Sequence, residues 1–152
     1  MRQNSRSVGT PPTGTTVVFY DGVCGLCDRL TQFLLPRDRH ARLLFAPLQS
    51  PLARVTLERY GKPPDDLNTV CVVANWRTNE ERLLSRSRAI LHTLSELGGG
   101  WRLVAKAGAI VPVSVADVVY DFVARHRYRV FGKYDTCIVP RPEWRNRFLD
   151  AP

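Results

Sequence analysis

Cys24 and Cys27, separated by two residues, stand in the run Tyr20-Asp21-Gly22-Val23-Cys24-Gly25-Leu26-Cys27-Asp28. An apolar run over 17–20 leads in and an amphipathic run over 26–35 leads out. A strand, a glycine-bearing turn and a helix with two cysteines at its mouth is how a dithiol redox site is built. At this spacing the sulfurs lie about one helical turn apart and reach disulfide distance with little backbone movement. The helix start supplies unpaired N–H groups and partial positive charge, and both favour thiolate over thiol. The chemistry expected is attack by Cys24 on a disulfide, a mixed disulfide, and release by Cys27. Cys24 is expected to be the more exposed sulfur and Cys27 the deeper one.

The neighbours bear on redox poise. Asp21 and Asp28 bracket the cysteines, and neither Gly25 nor Leu26 brings a cation. A poorly stabilised thiolate gives a reducing couple, nearer about −270 mV than about −120 mV. Asp21 has two readings: a carboxylate that relays a proton to or from Cys27, or a turn residue that caps the loop amides.

A CxxC is also half of a zinc site. No second CxxC or CxxH occurs, and Cys71, Cys137, His40, His92 and His126 are scattered. No metal is therefore expected, and thiol exchange needs no organic cofactor. Cys71, mid-strand among valines, reads as a buried inert thiol. Cys137, in the basic tail, reads as a packed residue or as a third redox thiol. His92 and His126 read as helix-surface or helix-end residues, and Trp101 and Trp144 as packing anchors.

The elements that must hold the dithiol follow from periodicity. A strand over 17–20 precedes a helix carrying Leu26, Leu30, Phe33 and Leu34, which Pro36 should end. A short apolar run over 43–46 reads as the second strand. Ser50-Pro51 reads as a cap followed by proline at the first helical position, with Gly61 as the stop. A third strand over 69–73, a turn over 76–80 and a returning strand over 82–84 follow. Ser87 should cap a helix bearing Ile90, Leu94 and Leu97, which ends at Gly98-Gly99-Gly100. The order β-α-β-α-β-β-α is the thioredoxin-like plan, an α/β fold with a four-stranded mixed sheet ordered 2-1-3-4. The third and fourth strands are expected antiparallel to the first. A helical extension over about 101–152 follows the core. In it Val115, Val118, Val119 and Phe122 should pack inward from a helix that ends near 125–127, with a short helix over 142–149.

The chain has 152 residues, 44% of them apolar, which suits one domain with a real core. Residues 1–16 read as a flexible tail and 17–152 as the single domain. No apolar run reaches the roughly 20 residues of a membrane span, and the start lacks a secretory pattern. A cytoplasmic location is the default, and it argues against structural disulfides. The net charge is +8, with Arg125, Arg127, Arg129, Lys133, Arg141, Arg145 and Arg147 crowded late in the chain. Few aromatics interleave with them and no recognition-helix pattern accompanies them, so nucleic acid is not the expected partner.

The motif Asp21-Gly22-x-Cys24-x-x-Cys27 resembles the DCC family of thiol-disulfide oxidoreductases. The likeness continues through residues 42–50. It recurs at Ser87-Arg88-Ala89-Ile90, where Arg88 replaces the family's acid. It returns from Val111-Pro112 through Asp117, Tyr120, Ala124, Arg127-Tyr128 and Phe131-Gly132 to Cys137. The resemblance implies a thioredoxin-like fold and a redox role for Cys24 and Cys27, and it implies no substrate. Thioredoxins also carry a cis-proline before the third strand. Here that stretch reads Asp66-Leu67-Asn68-Thr69, with Pro63 and Pro64 further back.

The function expected is thiol-disulfide exchange, with a protein or small-molecule disulfide as substrate and a thiol as electron donor. The alternative is a binding module on the same fold that works through its basic C-terminal surface, the dithiol being incidental.

Overall fold

The computed structural model describes residues 13–62, 70–133 and 142–149. Strand β1, Thr16–Tyr20, is a β-branched and aromatic run with every residue buried. Helix α1, Gly25–Leu34, follows it, then a 3-10 turn over Leu35–Arg37. Helix α1 ends just before Pro36, as expected, and Pro36 sits at the start of the tighter turn that follows, where its missing N–H would be unpaired anyway. Strand β2 is Leu43–Pro47. Helix α2, Pro51–Arg59, begins as its sequence requires: the Ser50 side chain accepts from the Ala53 N–H at 3.2 Å, and Pro51 takes the first turn. Gly61 beyond its end has φ +69°, the left-handed conformation glycine adopts most easily. Strands β3, Cys71–Ala74, and β4, Arg82–Ser85, form a hairpin. Helices α3, Ser87–Glu96, α4, Gly99–Ile110, and α5, Val113–Phe131, complete the fold, with a 3-10 turn over Pro142–Arg147.

The sheet order is β2-β1-β3-β4, the thioredoxin-like plan. Strand β1 runs parallel to β2, from Thr16 opposite Leu43 to Tyr20 opposite Pro47. Strand β3 is antiparallel to β1, and β4 is antiparallel to β3. Strand β4 therefore runs in the direction of β1, which corrects the expectation that both later strands oppose it. A hairpin must reverse the chain once more. Alternate side chains of the sheet feed two cores. Val18, Tyr20, Phe45 and Val72 meet α1 and α3 residues, while Val17, Phe19, Ala46 and Val73 meet Ala53 and Leu57 of α2. Thr16, read as tail, opens β1, and Gly14 donates its N–H to the Trp76 carbonyl at 2.8 Å.

Ser87 is not the cap of α3. Its N–H and its hydroxyl both donate to Asp117 of α5, so a carboxylate from another helix closes this helix start. Helix α5 also departs from expectation. It runs on to Phe131, and Val115, Val118, Val119 and Phe122 are 52%, 67%, 59% and 65% exposed. The reason lies on its other face. There Tyr120 takes the Val70 N–H at 2.9 Å, Asp117 takes Ser87, and Arg127 and Tyr128 reach Asp21. Those polar groups fix which side turns inward.

The last described residues clamp the edge strand β2. Arg147 donates to Asp38 and, from Nε at 3.0 Å, to the Leu43 carbonyl. Leu149 donates its N–H to the Phe45 carbonyl at 2.7 Å, and Phe148 stacks on Phe45 with centroids 5.4 Å apart. An edge strand covered in this way presents fewer open hydrogen-bonding groups. Trp101 meets Phe33 edge-on at 5.1 Å, and Trp144 packs against the same core.

Candidate active site

The buried β1 strand delivers Asp21 to the mouth of α1, and the turn 21–24 closes with the Cys24 N–H donating to the Asp21 carbonyl at 3.2 Å. Cys24 is the last residue before the helix, extended at φ −90°, and its carbonyl takes the Asp28 N–H at 3.1 Å as the first helical bond. Cys27 lies within the first turn. Both cysteines are thiols, near each other and not joined.

Their burial corrects the sequence reading. Cys24 is 0% exposed and Cys27 4%, so the first cysteine is not the more open one, although protein packs more densely around Cys27. The cover over Cys24 is the end of α5. Lys133 forms an antiparallel bridge with Cys24, and the Gly25 N–H donates to the Gly132 carbonyl at 3.1 Å. A methyl group at position 25 would overlap the Phe131 carbonyl oxygen, so only glycine lets this strap lie flat on the helix start. On the other side, Cys27 lines a small apolar cleft of about 60 Å³ with Leu26, Leu30, Ile90 and Tyr120.

The electrostatics separate the two sulfurs. Cys24 is lowered from 9.0 to about 6. The largest cause is the hydrogen bond donated by the Cys27 thiol. The N–H groups of Cys27 and Leu26 and the charge of Arg127 add to it, and together they outweigh burial. The same hydrogen bond, then burial, then the Cys24 charge drive the Cys27 thiol strongly upward. The sequence offered no cation beside the cysteines. The fold brings one, Arg127, from the C-terminal end of α5.

Asp21 is 1% exposed and its two oxygens accept four hydrogen bonds. Oδ1 takes the Val23 N–H at 3.2 Å and Gln49 Nε2 at 2.9 Å; Oδ2 takes Arg127 Nη2 at 3.3 Å and the Tyr128 hydroxyl. Gln49 in turn accepts the Gly22 N–H at 3.1 Å. Asp21 thus caps its loop and ties the turn, the region after β2 and helix α5 into one buried network. Gln49, Arg127 and Tyr128 had no role assigned from local sequence. Their one signal was membership of the blocks that carry the family likeness.

The remaining sequence candidates lie apart from the dithiol. Cys71 is buried in β3. His92 is half-buried rather than on the surface. It contacts Thr16 Oγ1 at 3.4 Å and Glu96 at 3.4 Å, and burial lowers its pKa. His126 bonds the Phe122 carbonyl at 2.8 Å on the outside of α5. Among the described residues no three His, Cys, Asp or Glu side chains cluster as metal ligands. Cys137 and residues 63–69, where the proline question falls, lie outside the described residues. Of the late basic cluster, Arg127 and Arg147 are buried against Asp21 and Asp38 and do not contribute to a basic surface. No single helix among the described residues is long and apolar enough to cross a membrane.

A family model described as DCC1-like thiol-disulfide oxidoreductase matches residues 18–133. The chain is 35% identical over 133 residues to the uncharacterized protein YuxK of Bacillus subtilis (strain 168), covering 88% of this chain and 93% of that protein. It is 32% identical over 121 residues to the DCC family protein At1g52590, chloroplastic, of Arabidopsis thaliana, covering 80% of this chain and 67% of that one. No solved structure matches it.

Proposed function

The chain belongs to the DCC1-like thiol-disulfide oxidoreductase family, and on that premise we propose that it exchanges electrons between thiols and disulfides through Cys24 and Cys27. The observation that carries this reading is the placement of two unbonded thiols at the start of α1, where the Cys27 thiol and the first-turn N–H groups favour a thiolate at Cys24 while the hydrogen bond to Cys24 and burial keep Cys27 protonated.

The Cys24 thiolate attacks one sulfur of a substrate disulfide. That S–S bond breaks, and the other substrate sulfur leaves as a thiolate and takes a proton from water. Cys27 then loses its proton and attacks Cys24, which releases the second substrate sulfur. Two electrons have passed to the substrate, and the protein holds a Cys24–Cys27 disulfide until a donor thiol reduces it. Asp21, whose charge is felt at Cys27, is the candidate acceptor of the Cys27 proton. Its ties to Gln49, Arg127 and Tyr128 make it the positioning residue of the loop as well. The strap over Cys24 must move aside before any disulfide can reach the sulfur. Protein or small-molecule disulfides are both candidate substrates, and a thiol pool of the cytoplasmic kind suits the reset.

The test is trapping. Cys27→Ser should accumulate mixed disulfides on Cys24, and Cys24→Ser should abolish turnover of an insulin or small-disulfide substrate. Full activity in both variants would refute the assignment.

A further inference from the structure

Helices α4 and α5 meet at an elbow bent by 108°, and their apolar side chains turn outward there. Leu103 and Ile110 on α4 are exposed, as are Val115, Val118, Val119 and Phe122 in one stripe of α5. Ile110, at the elbow itself, is 83% exposed. Together the two helices have the length and composition of a membrane-spanning segment, broken by the 108° bend. The common reason for such composition in a water-soluble fold is burial in a core. That reason fails here, since among the described residues nothing covers these side chains. A patch of this extent marks a contact surface.

The charges around it are predominantly positive. Helix α4 carries Arg102 and Lys106, both exposed, and no acid. On α5 the exposed cations are Arg125 and Arg129, and Asp121 is the partly exposed acid. The two acids of that helix face α3: Asp117 takes the Ser87 N–H and hydroxyl, and Asp121 lies 3.8 Å from Arg86. An exposed apolar stripe flanked mainly by cations has the composition of an interfacial element. The apolar residues enter the acyl boundary and the cations meet headgroup phosphates. A second copy of this chain would bring four like charges against four, which opposes self-association through this face.

We propose that the α4–α5 elbow docks the protein on an anionic bilayer surface, with Ile110, Val118 and Phe122 inserted and Arg102, Lys106, Arg125 and Arg129 on the headgroups. This surface is distinct from the dithiol, and its assignment stands whether or not the cysteines turn over.

The full-length protein is floated with vesicles of phosphatidylcholine alone, or with roughly 30% phosphatidylglycerol, at about 50 mM and about 500 mM salt. Binding to the anionic vesicles at low salt should exceed binding to neutral ones by at least about tenfold and fall by a similar factor at high salt. Ile110→Asp/Val118→Asp, whose side chains are exposed and whose fold is checked by circular dichroism, should lose the binding. Arg125→Gln/Arg129→Gln should weaken it severalfold. No flotation with either vesicle, or equal binding to both, would overturn the proposal. So would a dimer in sedimentation equilibrium that Ile110→Asp/Val118→Asp dissolves without any vesicle binding, since a second copy would then be the occupant.

Discussion

Replacing Cys27 by alanine removes the donor that holds the Cys24 sulfur as a thiolate, and replacing it by serine keeps a donor in the same place. With Cys27 present, Cys24 is lowered from 9.0 to about 6, and the Cys27 hydrogen bond is the largest cause. A hydrogen bond to a charged partner contributes about 1.5–3 kcal/mol, and one pKa unit corresponds to about 1.4 kcal/mol, so its loss should raise Cys24 by about one to two units. In Cys27→Ala the Cys24 pKa should therefore stand at about 7–8, and in Cys27→Ser it should stay closer to the wild-type value. The assay is the rate of iodoacetamide alkylation against pH, with Cys71→Ser/Cys137→Ser as background so that Cys24 is the thiol counted. Lifting of the strap scales the rate at every pH and leaves the midpoint unmoved. An alanine variant still titrating at about 6 would show that backbone N–H groups and Arg127 hold the thiolate without Cys27, and would refute the pairing.

Gly25→Ala should displace the strap at Phe131, because the new methyl overlaps the Phe131 carbonyl oxygen. Loss of the Gly25–Gly132 bond and relief of that overlap should speed maleimide labelling of Cys24 by roughly tenfold at a pH where the thiolate is fully formed. Arg147→Met leaves the Asp38 carboxylate buried without its cation and should cost about 3–5 kcal/mol in urea unfolding, against near-neutral change for Arg145→Gln on the exposed side. Cys24 binds its proton less tightly in the folded state than in the unfolded one. Reduced protein should therefore gain stability as pH rises from about 6 toward 9, by at most about 4 kcal/mol, and lose that gain below 6. Cys24→Ser should lack the rise.

Local signals in the sequence reached the strands, the CxxC turn, the Ser50-Pro51 helix start and the strand order, because each rests on residues adjacent in the chain. They could not reach what distant segments do. Arg127 stands 106 residues along the chain from Asp21, and Arg147 109 residues from Asp38, so neither ion pair leaves a local mark. The strap over Cys24 is likewise a long-range pairing, and it buries a sulfur that position alone suggested was open. On α5 the period of the valines revealed a stripe but not its direction. The polar groups of Asp117, Tyr120 and Arg127 decided that, by satisfying donors and acceptors on the elements beneath α5. The direction of β4 was implicit in its hairpin with β3.

A redox titration in glutathione buffers, with peptide mapping of the alkylated products, bears most directly on the dithiol. A Cys24 thiol acidified to about 6 lies between the thioredoxin value of about 7 and the strongly oxidising value of about 3.5. The account predicts a reversible two-electron transition at about −200 to −250 mV, with Cys24 and Cys27 linked to each other in the oxidised form. Oxidation that yields only glutathione adducts, or a linkage that leaves either of these two sulfurs out, would contradict it.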